Sequence, residues 1–289
     1  MKPSAFLFVL LMAVGAARVQ AQPVPSCCAP QAQSSNEAFA ALGNDPQFVM
    51  AHLAPLPFQK DQGPGKMITF KTKDGKKGRA YEVRAPKASN KVLLVFHEYW
   101  GLNDYIKQEA ERLQKELGDV TVIAPDLYDG KVSSDPNEAA KLMQGVKEER
   151  ARAIISGTIA HAGAKARIGT IGWCFGGGWS LQSALMAGRQ TEACVIFYGM
   201  PEKDPEKLKT LHSDVLGIFA KQDKWITPVV VEDFEKAMKA AGKELEVKSY
   251  DADHAFANPS NPHFNSDAAQ DAHAVAIEYL KKHFESLKG

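Results

Sequence analysis

From about residue 66 to its end, the chain alternates short, largely apolar runs with amphipathic stretches. Met67–Lys71 and Arg79–Arg84 flank Lys73-Asp74-Gly75-Lys76, the pattern of a β-hairpin with an Asp-Gly turn. Val92–Phe96, Val120–Ala124, Ala193–Phe197 and Val215–Ala220 are apolar nearly throughout, as strands buried on both faces are. Ala166–Trp173 and Leu245–Tyr250 complete the predicted strands. Helical spacing falls between them. Asn103 N-caps a face of Ile106, Ala110, Leu113 and Leu117, which Gly118 ends. Asp135-Pro136 opens a helical region to about His161, broken near Gly145. Thr227-Pro228 starts a helix carrying Val231, Phe234, Met238 and Ala241, stopped by Gly242. The last helix carries Ala272, Ala276, Leu280, Phe284 and Leu287. Strands that alternate with helices predict an α/β fold: a mostly parallel twisted sheet, helices on both faces, and an antiparallel N-terminal hairpin.

The first 65 residues do not share this pattern. Lys2, the apolar run Ala5–Val14 and the small-residue site Val19-Gln20-Ala21 read as a secretory signal peptide over residues 1–21, too short to span a membrane. Export to the periplasm or the medium is expected, with no membrane attachment after cleavage. Residues 22–65 are rich in Pro, Gln, Ser and Ala and read as a linker or packed extension. Asn36–Leu53 has some helical character through Phe39, Leu42, Phe48 and Met50. Residues 66–289 form the predicted domain. With 35 basic and 34 acidic residues there is no basic surplus to suggest a nucleic-acid partner. Cys27 and Cys28 have no assignable role, and Cys194 reads as a small core residue. A monomer without cofactor is expected.

Ligands of such sheets bind beyond the C-terminal ends of the strands. Four polar groups fall at those ends: Glu98, Cys174, Asp223 and His254. Cys174 stands in Thr170-Ile171-Gly172-Trp173-Cys174-Phe175-Gly176-Gly177. Strand, tight turn and helix, with a thiol at the apex between glycines, have the form of the nucleophile elbow of α/β-hydrolases. The order Cys174, Asp223, His254 is the order of their triad, with Asp251 and Asp253 as alternative acids. His254 would take the thiol proton and Asp223 would orient the imidazole. Asp-x-Asp-His shows no second histidine at ligand spacing, so no metal is expected. His97 reads either as a support for Glu98 or as a satisfied histidine at a strand end.

Gly172-Trp173-Cys174-Phe175-Gly176-Gly177, Pro125-Asp126-Leu127-Tyr128, the loop His97 to Asn103, the Asp223 loop and His254-Ala255-Phe256 together resemble the dienelactone hydrolase family over about residues 66–286. The resemblance implies a Cys-His-Asp hydrolase of lactones or activated esters, working through a thioester on Cys174. It implies that Glu98 helps activate the thiol, and that the backbone N–H groups of Tyr99 and Phe175 form the oxyanion hole. Trp100, Tyr128, Trp225 and Phe256 would line an apolar substrate pocket, though each also suits a core. Two positions depart from the family. Gly130 and Asn258 stand where its best-known members carry arginines for a substrate carboxylate, which leaves Lys131, Lys224 or Arg150 as substitutes. A non-hydrolytic binding protein on the same fold is the alternative. A thiol redox protein is the weaker one, since no C-x-x-C is present.

Overall fold

The computed structural model describes Met1, residues 34–262 and residues 264–286. The signal-peptide reading, Cys27, Cys28 and Leu287 lie outside the described residues. Gln33–Gly289 forms one compact unit.

Among the described residues, eight strands form one sheet, ordered β1-β2-β4-β3-β5-β6-β7-β8. Hairpin strands β1 (Lys66–Lys71) and β2 (Lys77–Val83) pair antiparallel, and β2 joins β4 (Thr121–Pro125) antiparallel. From β4 onward all pairs are parallel: β3 (Lys91–Phe96), β5 (Arg167–Trp173), β6 (Thr191–Phe197), β7 (Val215–Ala220) and β8 (Leu245–Tyr250). The apolar runs explain the order. β3, β5, β6 and β7 are buried almost throughout, so they take the middle of the sheet. β8 alternates exposed and half-buried positions and lies at the edge.

Caps set the helices where the polar signals predicted. Asn103 accepts from the Ile106 N–H to open α3 (Asp104–Leu117). The helical region after Asp135 divides at Gly145 into α4 (Pro136–Gln144) and α5 (Glu148–Ala162). α6 (Phe175–Ala187) follows β5 directly. The short α7 (Pro205–Leu208) precedes β7, and Thr227 caps α8 (Pro228–Ala240). The final helix α9 (Ser266–Glu285) packs back toward the sheet and α3, with Phe284 buried beside Gly169 of β5.

Two further helices precede the sheet. Ser34 forms a capping box with Glu37 at the start of α1 (Ser35–Ala41). Asp45 caps α2 (Pro46–Ala51) by accepting from the Gln47 N–H, with Pro46 at the first helical position. Phe39 and Phe48 are both buried in the core of the hydrolase-like unit. α1 approaches α6 so closely that a Cβ on Gly178 would meet the Asn36 side chain.

Candidate active site

The sheet ends and the loops after them build the site. Cys174 joins β5 to α6 with φ 55 and ψ −120, a left-handed conformation that non-glycine residues rarely adopt. The residues two positions to either side must be glycines. A Cβ on Gly172 would collide with the Gly176 carbonyl, and one on Gly176 with the carbonyls of Phe96 and His97. The turn brings the Phe175 N–H to the sulfur and aims the start of α6 at it.

His254 and Asp223 come together from the loops after β8 and β7. His254 Nδ1 donates to Asp223 Oδ2 at 2.6 Å. Asp223 Oδ1 accepts from the backbone N–H groups of Trp225 and Ile226, both at 2.9 Å. Burial works against both charges. Even so, the pair's mutual attraction and hydrogen bond leave Asp223 below the usual carboxylate range and His254 well above the usual imidazole range. Asp251 instead accepts from Gln222. Cys174 is 0% exposed, and burial pushes its thiol up despite the pull of His254. The resting arrangement is thus a protonated thiol beside a charged His254–Asp223 pair.

Glu98, in the loop after β3, is 8% exposed. Its Oε2 accepts from Asn258 Nδ2 at 3.0 Å. Burial pushes its pKa up to about 7, with the Asn258 bond opposing. Asn258 is itself fixed, accepting on Oδ1 from the Ser260 N–H and hydroxyl. His97 is a satisfied histidine. Its Nδ1 donates to the Glu98 carbonyl at 2.9 Å and its Nε2 accepts from the Leu127 N–H at 3.1 Å.

The aromatic residues divide. Tyr99 is buried, donates its hydroxyl to the Pro136 carbonyl at 2.6 Å, and packs edge-on against Trp100 at 5.0 Å. Tyr128 donates to the Tyr99 carbonyl and lies over His97 and Phe175. Trp225 lies edge-on to His254 at 5.9 Å. Phe256 packs between Tyr198 and Tyr250, behind His254.

The residue that sequence reasoning missed is His52, just past α2 and 122 positions before Cys174. Its Nδ1 donates to the Phe48 carbonyl at 2.7 Å, and its Nε2 stands 3.7 Å from Cys174 Sγ. Burial, reinforced by His254, pushes its pKa down to about 3, so the ring is neutral and Nε2 accepts the thiol proton's hydrogen bond. His254 Nε2, by contrast, is buried without a hydrogen-bond partner among the described residues. Phe48 packs on His52, Trp225 and Tyr99 and reaches His254 at 6.2 Å. Trp225 Nε1 ties the segment down by donating to Asp45 Oδ2 at 3.1 Å. No second histidine stands at ligand spacing along the sequence, yet the fold brings His52 to His254, with the two rings 5.6 Å apart. Spacing along the sequence missed it because the partner arrives from a separate element. The helical character of residues 36–53 was the one signal available.

Two cavities adjoin these groups. One of about 230 Å³ is bounded by Met50, His52, Lys224, Trp225 and His254. One of about 120 Å³ is walled by Glu98, Asn258, Trp173, Phe197, Arg112 and His273. Of the cations proposed to replace the missing arginines, Arg150 is engaged by Asp74, Asp129 and the Lys77 carbonyl. Lys224 borders the larger cavity. The left-handed Gly130 lies against the Arg79 guanidinium.

A mostly parallel sheet with its thiol on a strand-to-helix elbow, followed by acid and histidine on later strand ends, defines an α/β-hydrolase fold. The dienelactone hydrolase family model matches residues 79–284, and the chain belongs to that family of hydrolases. Protein usf of Aquifex pyrophilus is 29% identical over 76% of this chain and 99% of its own. The carboxymethylenebutenolidase of a Pseudomonas species is 25% identical over 74% of this chain and 94% of its own. Among solved structures, a dienelactone hydrolase-like promiscuous phosphotriesterase from metagenomic libraries superposes with a TM-score of 0.65 at 21% identity, covering 76% of this chain and 99% of that one. A dienelactone hydrolase from Anabaena variabilis gives 0.54 at 17% identity, with 76% and 99% covered. The matched region begins after His52.

Proposed function

We propose that the chain hydrolyses a lactone or activated carboxylic ester through Cys174, His254 and Asp223. The observation that carries this reading is a thiol on a strained elbow beside a buried His254–Asp223 pair at the same edge of the sheet. The segment bearing Phe48 and His52 lifts to admit substrate. Glu98 then takes the thiol proton, since its pKa of about 7 makes it a competent base near neutrality. Cys174 attacks the carbonyl carbon while the N–H groups of Tyr99 and Phe175 hold the oxyanion. Protonated His254 gives its proton to the leaving oxygen, which in a lactone stays tethered to the acyl chain. Neutral His254 next draws a proton from water, and the hydroxide opens the thioester. The departing thiolate recovers its proton from Glu98.

Gly130 and Asn258 supply no guanidinium, so a free substrate carboxylate is not held at those points. Trp225 borders the larger cavity, whereas Trp100, Tyr128 and Phe256 are packed in the core around the site, and the relatives named for carboxymethylenebutenolide give only the ester class. The reading of residues 1–21 adds export to the proposal.

The test is a panel of lactones and aryl esters on wild type and Cys174→Ala, with intact-mass detection of an acyl adduct. Cys174→Ala should lose about 10⁴-fold in turnover while keeping its fold. Undiminished turnover in that variant rules out the mechanism. A co-purifying ligand with no turnover by wild type supports a binding protein instead.

A further inference from the structure

Beyond the proposed reaction, one cluster has the chemistry of a metal centre. Cys174, His52 and His254 are all buried, and one ligand atom from each lies within 4.8 Å of the others. In each histidine Nδ1 is already held by an acceptor, Asp223 for His254 and the Phe48 carbonyl for His52. Metal-bound histidines are oriented this way: the outer nitrogen donates to a carboxylate or carbonyl while the inner one holds the ion. Among the described residues, the buried His254 Nε2 has no hydrogen-bond partner. The separation of 3.7 Å between Cys174 Sγ and His52 Nε2 is close to the edge of a tetrahedron with ordinary zinc–sulfur and zinc–nitrogen bonds, roughly 3.6 Å. A thiolate with two imidazoles is a borderline-soft donor set, suited to Zn²⁺ or Co²⁺ and poorly suited to Mg²⁺ or Ca²⁺.

We propose that Cys174, His52 and His254 bind one divalent zinc-type ion, with the fourth position open to water. Binding replaces the protons on the thiol and on His254 Nε2, which leave to solvent, and forms metal–sulfur and metal–nitrogen bonds without redox change. Two consequences follow. The ion occupies the groups the hydrolysis needs, so it inhibits. It also clamps the segment carrying His52 onto the elbow, which makes inhibition depend on a residue outside the matched family region. The inhibitory part rests on the function proposed above; the binding part does not.

The probe is Co²⁺ titrated into the full chain, because a cobalt–thiolate bond gives a near-ultraviolet charge-transfer band. One equivalent should produce the band, and Zn²⁺ should displace it. Cys174→Ser should abolish the band. His52→Gln should weaken binding at least about tenfold, with circular dichroism confirming that the variant is folded. In parallel, Zn²⁺ inhibition of aryl-ester turnover is compared with each protein's own uninhibited rate. His52→Gln should need at least about tenfold more Zn²⁺ for half-inhibition, and a chelator should restore both enzymes. Absence of a thiolate band, or equal metal affinity in folded His52→Gln, overturns the site. A band without any ester turnover keeps the site and removes the proposed function.

Discussion

Glu98 and His52 show how the same burial moves an acid and a base in opposite directions, each toward its neutral form. Burial raises the carboxyl of Glu98 to about 7 and lowers His52 to about 3, so near neutrality His52 carries no charge and Glu98 is close to losing its proton. Of the two, Glu98 is the one that changes protonation near neutrality. If Glu98 is the base that takes the thiol proton, kcat/KM should fall below about pH 7 along a one-proton limb. Glu98→Gln should lower kcat/KM by about 10²–10⁴-fold and remove that limb. Asn258→Leu offers a finer check. The Asn258 hydrogen bond lowers the Glu98 pKa, so its loss should move the limb to higher pH. A limb that stays in place in both variants would assign it to another group. Asn258 thus has a use that reading its position in the sequence did not reveal: it holds the buried Glu98 carboxylate.

At the scale of elements, what was legible followed from local sterics. Gly172 and Gly176 could be read as partners of Cys174 because a tight strand-to-helix turn leaves no room for a side chain there. Glu98, Asp223 and His254 could be read because each stands in the loop directly after its own predicted strand. The Asn258–Glu98 bond and the Arg150 cluster could not, since they depend on which loops meet across the sheet. The same is true of His273 on α9, which joins Glu109 and Glu116 of α3. Burial opposes its charge, but the hydrogen bond and charge of Glu109, with Glu116, raise its pKa above the ordinary value. A raised folded value means stability that is fully present below the unfolded pKa of about 6.5 and lost as pH climbs through the folded value. The Tm deficit of His273→Gln should therefore be larger near pH 6 than near pH 9. An equal deficit at both would make the contact a packing effect.

At the scale of the molecule, the unexpected part is how the thiol is closed off. Composition marked residues 22–65 as linker or packed extension, because Pro, Gln and Ser dilute the apolar signal and a closing surface needs few anchors. Phe39, Phe48 and His52 are those anchors, and with Trp225 and Tyr99 they leave Cys174 fully buried. A substrate or reagent can reach the sulfur by either of two routes, detachment of α1–α2 or global unfolding. Detachment exposes little surface, so its free energy should vary weakly with denaturant, whereas global unfolding varies steeply. Alkylation of Cys174 by iodoacetamide, followed by peptide mass spectrometry with chelator present, separates them. In wild type the rate should be slow and nearly constant across low urea. Phe48→Ala removes a fully buried ring from the docked segment, a change that costs about 3 kcal/mol or more in well-packed sites. If docking controls access, alkylation should then rise about 100-fold while its dependence on urea stays shallow. A steep urea dependence in wild type would mean that the segment does not open separately and that the sulfur is reached only through global unfolding, which would overturn the lifting step of the proposed reaction.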